Sequence, residues 1–291
     1  MIEGGPGMDR SHRTTIRNLV IFTVVVLAIG WAGRWLDILM DNPDSESLGM
    51  LLWLVVPTGT AILLRAFAGD GWGDFGIKPN LRGNAGWYLV ALFLYPVLTA
   101  IVLAIGGGLR LIAFPGFSVG TIGLILQTFA LAALPQFVKN IFEEAAWRGY
   151  LATKVYSLGF NDYAGHILVG LVWGAWHIPY YLFYLDRAIL QDFTTLSLGA
   201  FILMSIVVMI AWAIVYGEIR LLTGSIWPAV LMHMVEDAFL NQLFTEQRIS
   251  IVPGTDWLVS PVNGLVSIAL FIALGIGLNR YRRARRQVQP G

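Results

Sequence analysis

About eight times along 291 residues the chain stays apolar for the roughly twenty positions that an α-helix needs to cross a bilayer. The stretches lie near Leu19–Trp35, Leu48–Phe67, Trp87–Ile105, Ile122–Phe142, Tyr163–Leu185, Leu198–Tyr216, Ile226–Phe244 and Val262–Leu278. Short links rich in Gly, Pro, Asn and Asp separate them, such as DNPDSE (Asp41 to Glu46) and SLGFND (Ser157 to Asp162). None of these links is long enough to fold as a soluble domain, and no tandem period runs through the chain. The fold class expected is therefore all-α: a polytopic membrane protein of about eight transmembrane helices. Its expected parts are an N-terminal flank (1–18), a helical domain (19–278) with its core at about 120–244, and a basic tail (279–291).

Composition narrows the chemistry. Charged residues make up 13% of the chain and hydrophobic ones 57%, with a mean hydropathy of +0.69, which makes the lipid bilayer its first partner. A net charge of +1 gives no reason to expect nucleic acid. Cysteine is absent, which excludes disulfides, thiolate metal sites and cysteine nucleophiles.

Basic residues set the expected orientation, because Lys and Arg flanks stay cytoplasmic. Arg10, Arg13 and Arg17 precede the first stretch, and Arg280, Arg282, Arg283, Arg285 and Arg286 follow the last. An even number of crossings puts both termini inside. The first link then faces outward with Asp37, Asp41, Asp44 and Glu46 and no Lys or Arg, while the next carries Lys78 and Arg82. The junction after the fourth stretch, with Lys139, Arg148 and Lys154, falls on the cytoplasmic side by the same reasoning. The first stretch is read as a retained anchor in a cell-membrane protein rather than a cleaved signal.

Against this apolar background, FEEAAWRGYL (Phe142 to Leu151) stands out. Glu144 and Arg148 are four apart with the acid first, so they share a helix face and form an ion pair. Glu143 points about 100° away from that face, and a carboxylate near hydrocarbon is costly unless paired or functional. Its partners are sought in other spans. His177 lies in WGAWHIPYYL (Trp173 to Leu182), with Trp173 one turn before it. His233 and Asp237 lie one turn apart in WPAVLMHMVEDAFLNQL (Trp227 to Leu243). Glu236 is turned off that face and is read as a surface or headgroup residue; His12 and His166 are read as non-catalytic. Isolated polar residues in three spans are expensive unless they meet in one wet cavity, so they are read as one site.

These residues, in this order on three spans, resemble the three motifs of the CPBP family, the CAAX prenyl endopeptidases of the Ras-converting type and their bacterial Abi relatives. The resemblance covers about Leu134 to Leu243, and the FGI of Gly73-Asp74-Phe75-Gly76-Ile77 resembles the family's N-terminal region. Two positions depart from the pattern: Trp173 stands where the family usually has Phe, and Asp237 where it often has Asn.

The resemblance implies an intramembrane endopeptidase acting on a membrane-associated substrate, a lipidated protein or a leader peptide, with the active site towards the cytoplasmic side. Glu143, helped by His177, would deprotonate a water. His233, and Asp237 if protonated, would donate to the oxyanion. Glu144, Arg148 and Trp173 would support them. The favoured scheme needs no cofactor, although Glu143, His177 and His233 are also the residue types that ligate zinc, and the sequence does not separate the two schemes.

Other protease designs fail: there is no His-Glu-x-x-His and no Gly-x-Ser-Gly, and Gly71-Trp72-Gly73-Asp74 falls in a polar loop and is read as a turn. Outside proteolysis, a non-catalytic adaptor or immunity protein and a proton-coupled carrier are the alternative readings, the carrier lacking the related halves and paired broken helices expected of one.

Overall fold

A computed structural model describes residues 10–42, 46–115, 117–244 and 248–288. Asp44 of the acidic first link, residues 1–9 of the N-terminal flank and 289–291 of the basic tail lie outside them.

The helices are α1 (Arg10–Leu39), α2 (Leu48–Phe67), α3 (Ala85–Gly108), α4 (Val119–Glu144), α5 (Ala152–Ser157), α6 (Asp162–Trp176), α7 (Arg187–Phe193), α8 (Leu198–Thr223), α9 (Trp227–Phe244), α10 (Asp256–Val259) and α11 (Leu265–Val288). A π-helical turn, Ala145–Leu151, joins α4 to α5, and a second, Tyr180–Tyr184, follows α6. The only strands among the described residues are β1 (Ile112–Ala113) and β2 (Ser250–Ile251), which pair antiparallel and tie two loops together.

Polar residues mark where the helices start. Ser47 caps α2 by accepting from the Met50 N–H, Asn161 caps α6 through Ala164, and Ser118 with Thr121 forms a capping box at α4. Gly224, at φ 65°, ends α8 in the left-handed conformation that favours glycine.

Seven of the described helical segments are long and apolar enough to cross a membrane: Ser11–Leu39, Leu48–Phe67, Ala85–Gly108, Gly120–Ser157, Asp162–Tyr184, Leu198–Thr223 and Leu265–Gln287. The remaining expected stretch forms α9, whose His233, Glu236 and Asp237 keep it out of that set; it packs against α3 and α4.

In lipid there is little hydrophobic drive between helices, so close approach at small residues decides which of them pair. A Cβ on Gly170 would sit 2.5 Å from the Ile210 Cα, and one on Gly174 3.0 Å from the Ile206 Cα. This small-xxx-small face seats α6 against α8. Gly33 on α1 packs in the same way against the Gly49 backbone of α2.

The bundle has two chemically distinct ends. At one, Asn18 of α1 and Tyr150 each donate to Asp70, Lys154 reaches Asp74 at 3.0 Å, and Arg282 of α11 pairs with Asp162 at the start of α6. The first helix therefore begins, and the last one finishes, at the same end, and most of the 19 Lys and Arg residues lie there. Burial opposes the charge of Asp74, but Arg65 and Lys154 outweigh it and hold its carboxyl below the ordinary 3.8. At the other end, Asp37 closes the α1–α2 link by accepting from the Ser47 hydroxyl and the Gly49 N–H, and Asp256 accepts from Thr194 and Thr195.

Candidate functional site

Glu143 and Glu144 are the last two residues of α4, directly before the π turn that holds Arg148. A π turn inserts an extra residue into the helical register, and such turns recur at functional sites. Glu144 is fully buried and its Oε1 accepts from two groups: Arg148 at 2.9 Å and His233 Nδ1 at 2.9 Å. The Arg148 guanidinium lies between two rings, 4.1 Å from the Trp173 centroid and 4.2 Å from that of Tyr216. The motif aromatic thus holds the arginine, which holds the glutamate, which orients an imidazole.

His177 is oriented by the end of its own helix. The His177 N–H bonds to Gly174 O, and Pro179 follows with no N–H to give. The carbonyl of Trp173 instead meets His177 Nδ1 at 2.9 Å. A carbonyl only accepts, so Nδ1 carries the proton and Nε2 is the free nitrogen. His233 is fixed in the same sense, its Nδ1 donating to a carboxylate. Its Nε2 lies 3.9 Å from Glu143 Oε2 and 4.0 Å from Asp237 Oδ2. The Trp173 ring touches both imidazoles edge-on, at 6.1 Å from His177 and 5.5 Å from His233.

Lys139 was expected at the cytoplasmic junction; instead it enters the site. Its Nζ lies 3.1 Å from Glu143 and 2.9 Å from Asp237, and the Asn140 amide donates to the same Asp237 oxygen at 2.7 Å. Asp237 therefore accepts two hydrogen bonds here, whereas the resemblance implied that, if protonated, it would donate to an oxyanion. Glu236 also departs from expectation: it lines the cavity with His233 and Asp237 instead of facing headgroups. Lys139 sits one turn before Glu143, and that i,i+4 spacing was the signal that could have found it. Asn140 had no comparable signal.

His177, Lys139, His233, Glu236 and Asp237 line one cavity of about 330 Å³. Its walls are apolar and aromatic, including Trp53, Tyr180, Tyr181 and Trp212. Apolar walls around a few convergent polar groups are the usual make-up of a binding site. Glu143 is 2% exposed behind that polar floor, and neither of its oxygens accepts a directed hydrogen bond among the described residues. Three helices, α4, α6 and α9, thus bring together the acids and imidazoles that the sequence kept apart.

Comparison with known families bears directly on this arrangement. Residues 124–239 match the Rce1-like family of type II CAAX prenyl endopeptidases. The Rce1-like segment contains Glu143, Glu144, Arg148, Trp173, His177, His233 and Asp237. No curated protein matches the chain. Outside the Rce1-like segment lie α1, α2, α3, α10 and α11.

The donor types also bear on metal. His233, Glu236 and Asp237 offer one ligand atom each, all within 4.8 Å of one another, so the site contains a His/Glu/Asp cluster of metal-binding character. This trio shares only His233 with the zinc set expected from the sequence.

Proposed function

We propose that the chain is an intramembrane endopeptidase, in which water activated by Glu143 and the imidazoles hydrolyses a peptide bond of a membrane-associated substrate. The observation that carries this reading is that His177 and His233 both have Nδ1 engaged, which leaves Nε2 of each free for chemistry beside Glu143. Glu143 takes a proton from water while the hydroxide attacks the scissile carbonyl carbon. The developing oxyanion is stabilised by protonated His233 and by the Lys139 ammonium, both of which lie beside Glu143. Glu143 then returns the proton to the leaving amine, so charge and atoms balance. Glu144, Arg148 and Trp173 touch no reacting atom; they position His233 and the turn that carries Glu143.

Lys139 also bears on the metal alternative. Its ammonium sits against Glu143 and Asp237, where a cation would have to displace it, and Asp237 Oδ2 already accepts two donors. This favours metal-free hydrolysis over a zinc site built from Glu143, His177 and His233, or from His233, Glu236 and Asp237.

The test compares membrane peptide pools from cells bearing the native chain and Glu143→Gln, with thermal unfolding as a control for folding. Loss of a general base is expected to slow cleavage by about 10²–10⁴-fold. Peptide pools that match despite intact folding would remove the protease reading and favour the adaptor. Activity that survives exhaustive chelation supports the metal-free form, and activity that zinc alone restores would replace it.

A further inference from the structure

Helix polarity fixes which end of the bundle the cavity opens to. Four of its lining residues lie at the beginnings or ends of elements: Met50 three residues into α2, Phe201 four into α8, Leu185 just past the second π turn and Val262 just ahead of α11. All four belong to the end where α1 finishes and α2 starts. None of the lining residues lies in the last turn of α2, α8 or α11, which finish at the arginine-rich end.

The way to the arginine-rich end is filled. Below the polar floor lies the fully buried Arg148, clamped between Trp173 and Tyr216, with the Tyr216 hydroxyl 3.2 Å from that of Tyr95. Beneath that layer, Arg65 bonds to Gly149 O at 2.5 Å and to Asp74 at 2.6 Å, and Arg220 bonds to Asp74 O at 2.6 Å. Among the described residues this plug of buried aromatic rings and guanidinium groups separates the cavity from that end.

The expectation from sequence placed the site beside the basic flanks, whereas these lining residues point towards the opposite end of the bundle. That expectation took Lys139, Arg148 and Lys154 as one junction, whereas only Lys154 reaches the basic end. At the opposite end the Lys and Arg residues are Arg34 near the end of α1, Arg110 after α3, Arg187 at the start of α7 and Arg248 after α9. The positive-inside asymmetry therefore assigns the arginine-rich end to the cytoplasm.

We infer that substrate reaches Glu143 from the extracytoplasmic face, so that the peptide cleaved belongs to an exported or outer-leaflet membrane polypeptide rather than to a cytosolic lipidated C-terminus. The inference rests on the protease reading for the identity of what enters, but the side of the mouth is a property of the fold. The aromatic and aliphatic walls suit a substrate with bulky apolar side chains beside the scissile bond.

The native chain has no cysteine, so single substitutions report cleanly. Leu185→Cys and Val262→Cys mark the mouth, and Leu81→Cys, on an exposed loop residue, marks the arginine-rich end. The full-length variants are treated with a charged, membrane-impermeant maleimide in sealed right-side-out and inside-out vesicles. Both mouth cysteines are expected to react at least about tenfold faster in right-side-out vesicles, with Leu81→Cys showing the reverse, because a charged reagent does not cross hydrocarbon. Mouth cysteines labelled from the same face as Leu81→Cys overturn the inference, as does the fully reversed pattern. Mouth cysteines that react only after solubilisation also overturn it, since the cavity would then open into lipid. None of these readouts needs catalysis, so a failed Glu143→Gln test and a failed sidedness test remain distinguishable.

Discussion

Lys139 shows how much a single side chain decides here. One ammonium lies within ion-pair distance of two carboxylates from different helices, Glu143 on α4 and Asp237 on α9. Without it, two acids would face each other around His233 with less compensation, and like charges in a confined site repel. Its side chain is 30% exposed, so solvent screening tempers the loss. Lys139→Met is expected to lower stability by about 1–3 kcal/mol, as a lost charge-assisted bond in a part-buried site does. It is also expected to reduce kcat more than KM, because in the proposed mechanism the charge acts on the developing oxyanion. Lys139→Arg should recover most of the stability but less of kcat, since the guanidinium is planar and longer. Thermal unfolding with steady-state cleavage reads both effects; a Lys139→Met protein with native stability and native kcat would show the ammonium to be a bystander. The sequence concealed this residue because a lysine near a span end reads as a snorkelling flank. Its spacing to Glu143 was visible, but its second contact, with Asp237, depends on how α4 meets α9, which no local spacing encodes.

At the scale of elements, the helices were legible and their interruptions were not. Apolar run length reports a crossing directly, so the expected stretches and the observed helices differ mainly in their ends. The π turns at Ala145–Leu151 and Tyr180–Tyr184 leave the same composition as an α-helix and are set by tertiary contact. Gly149 illustrates that contact. A Cβ there would stand 2.6 Å from Phe75 Cε2, and Phe75 lies in the loop whose FGI resembled the family's N-terminal region. The same ring lies 5.3 Å below the Arg65 guanidinium, which bonds to Gly149 O. Loop, arginine and π turn therefore form one lock that sets the register of Glu143 and Glu144. Gly149→Ala is expected to cost about 1–3 kcal/mol by overpacking. Phe75→Leu, which frees space, should return part of that loss in the double variant, although it costs stability alone. A Gly149→Ala chain that unfolds at the native temperature would mean that the ring moves aside freely and the lock is slack.

Across the whole molecule, the cavity and a buried ion clamp are kept at different ends. Glu218, fully buried on α8, accepts from His166 Nε2 at 2.9 Å, Asn279 at 2.7 Å and Arg282 Nε at 2.6 Å. His166 Nδ1 in turn meets the Tyr156 hydroxyl at 2.8 Å. One carboxylate thereby joins α5, α6, α8 and α11 at the arginine-rich end, away from the cavity mouth. The part α11 plays was not legible, because its motif-free sequence gives no hint that Asn279 and Arg282 reach a buried acid. Glu218→Ala leaves Arg282 buried without its main partner and is expected to cost about 3–5 kcal/mol. Pairing it with Arg282→Met removes the stranded charge, so the double variant should be more stable than Glu218→Ala alone. Thermal unfolding of the three proteins in one detergent measures the coupling, and independence of the two substitutions would contradict the clamp. Cleavage per folded molecule should stay native in the double variant, because the plug of Arg148, Trp173 and Tyr216 separates the clamp from the catalytic floor. A fall in kcat without loss of folded protein would mean that the plug transmits strain between the two ends rather than isolating them.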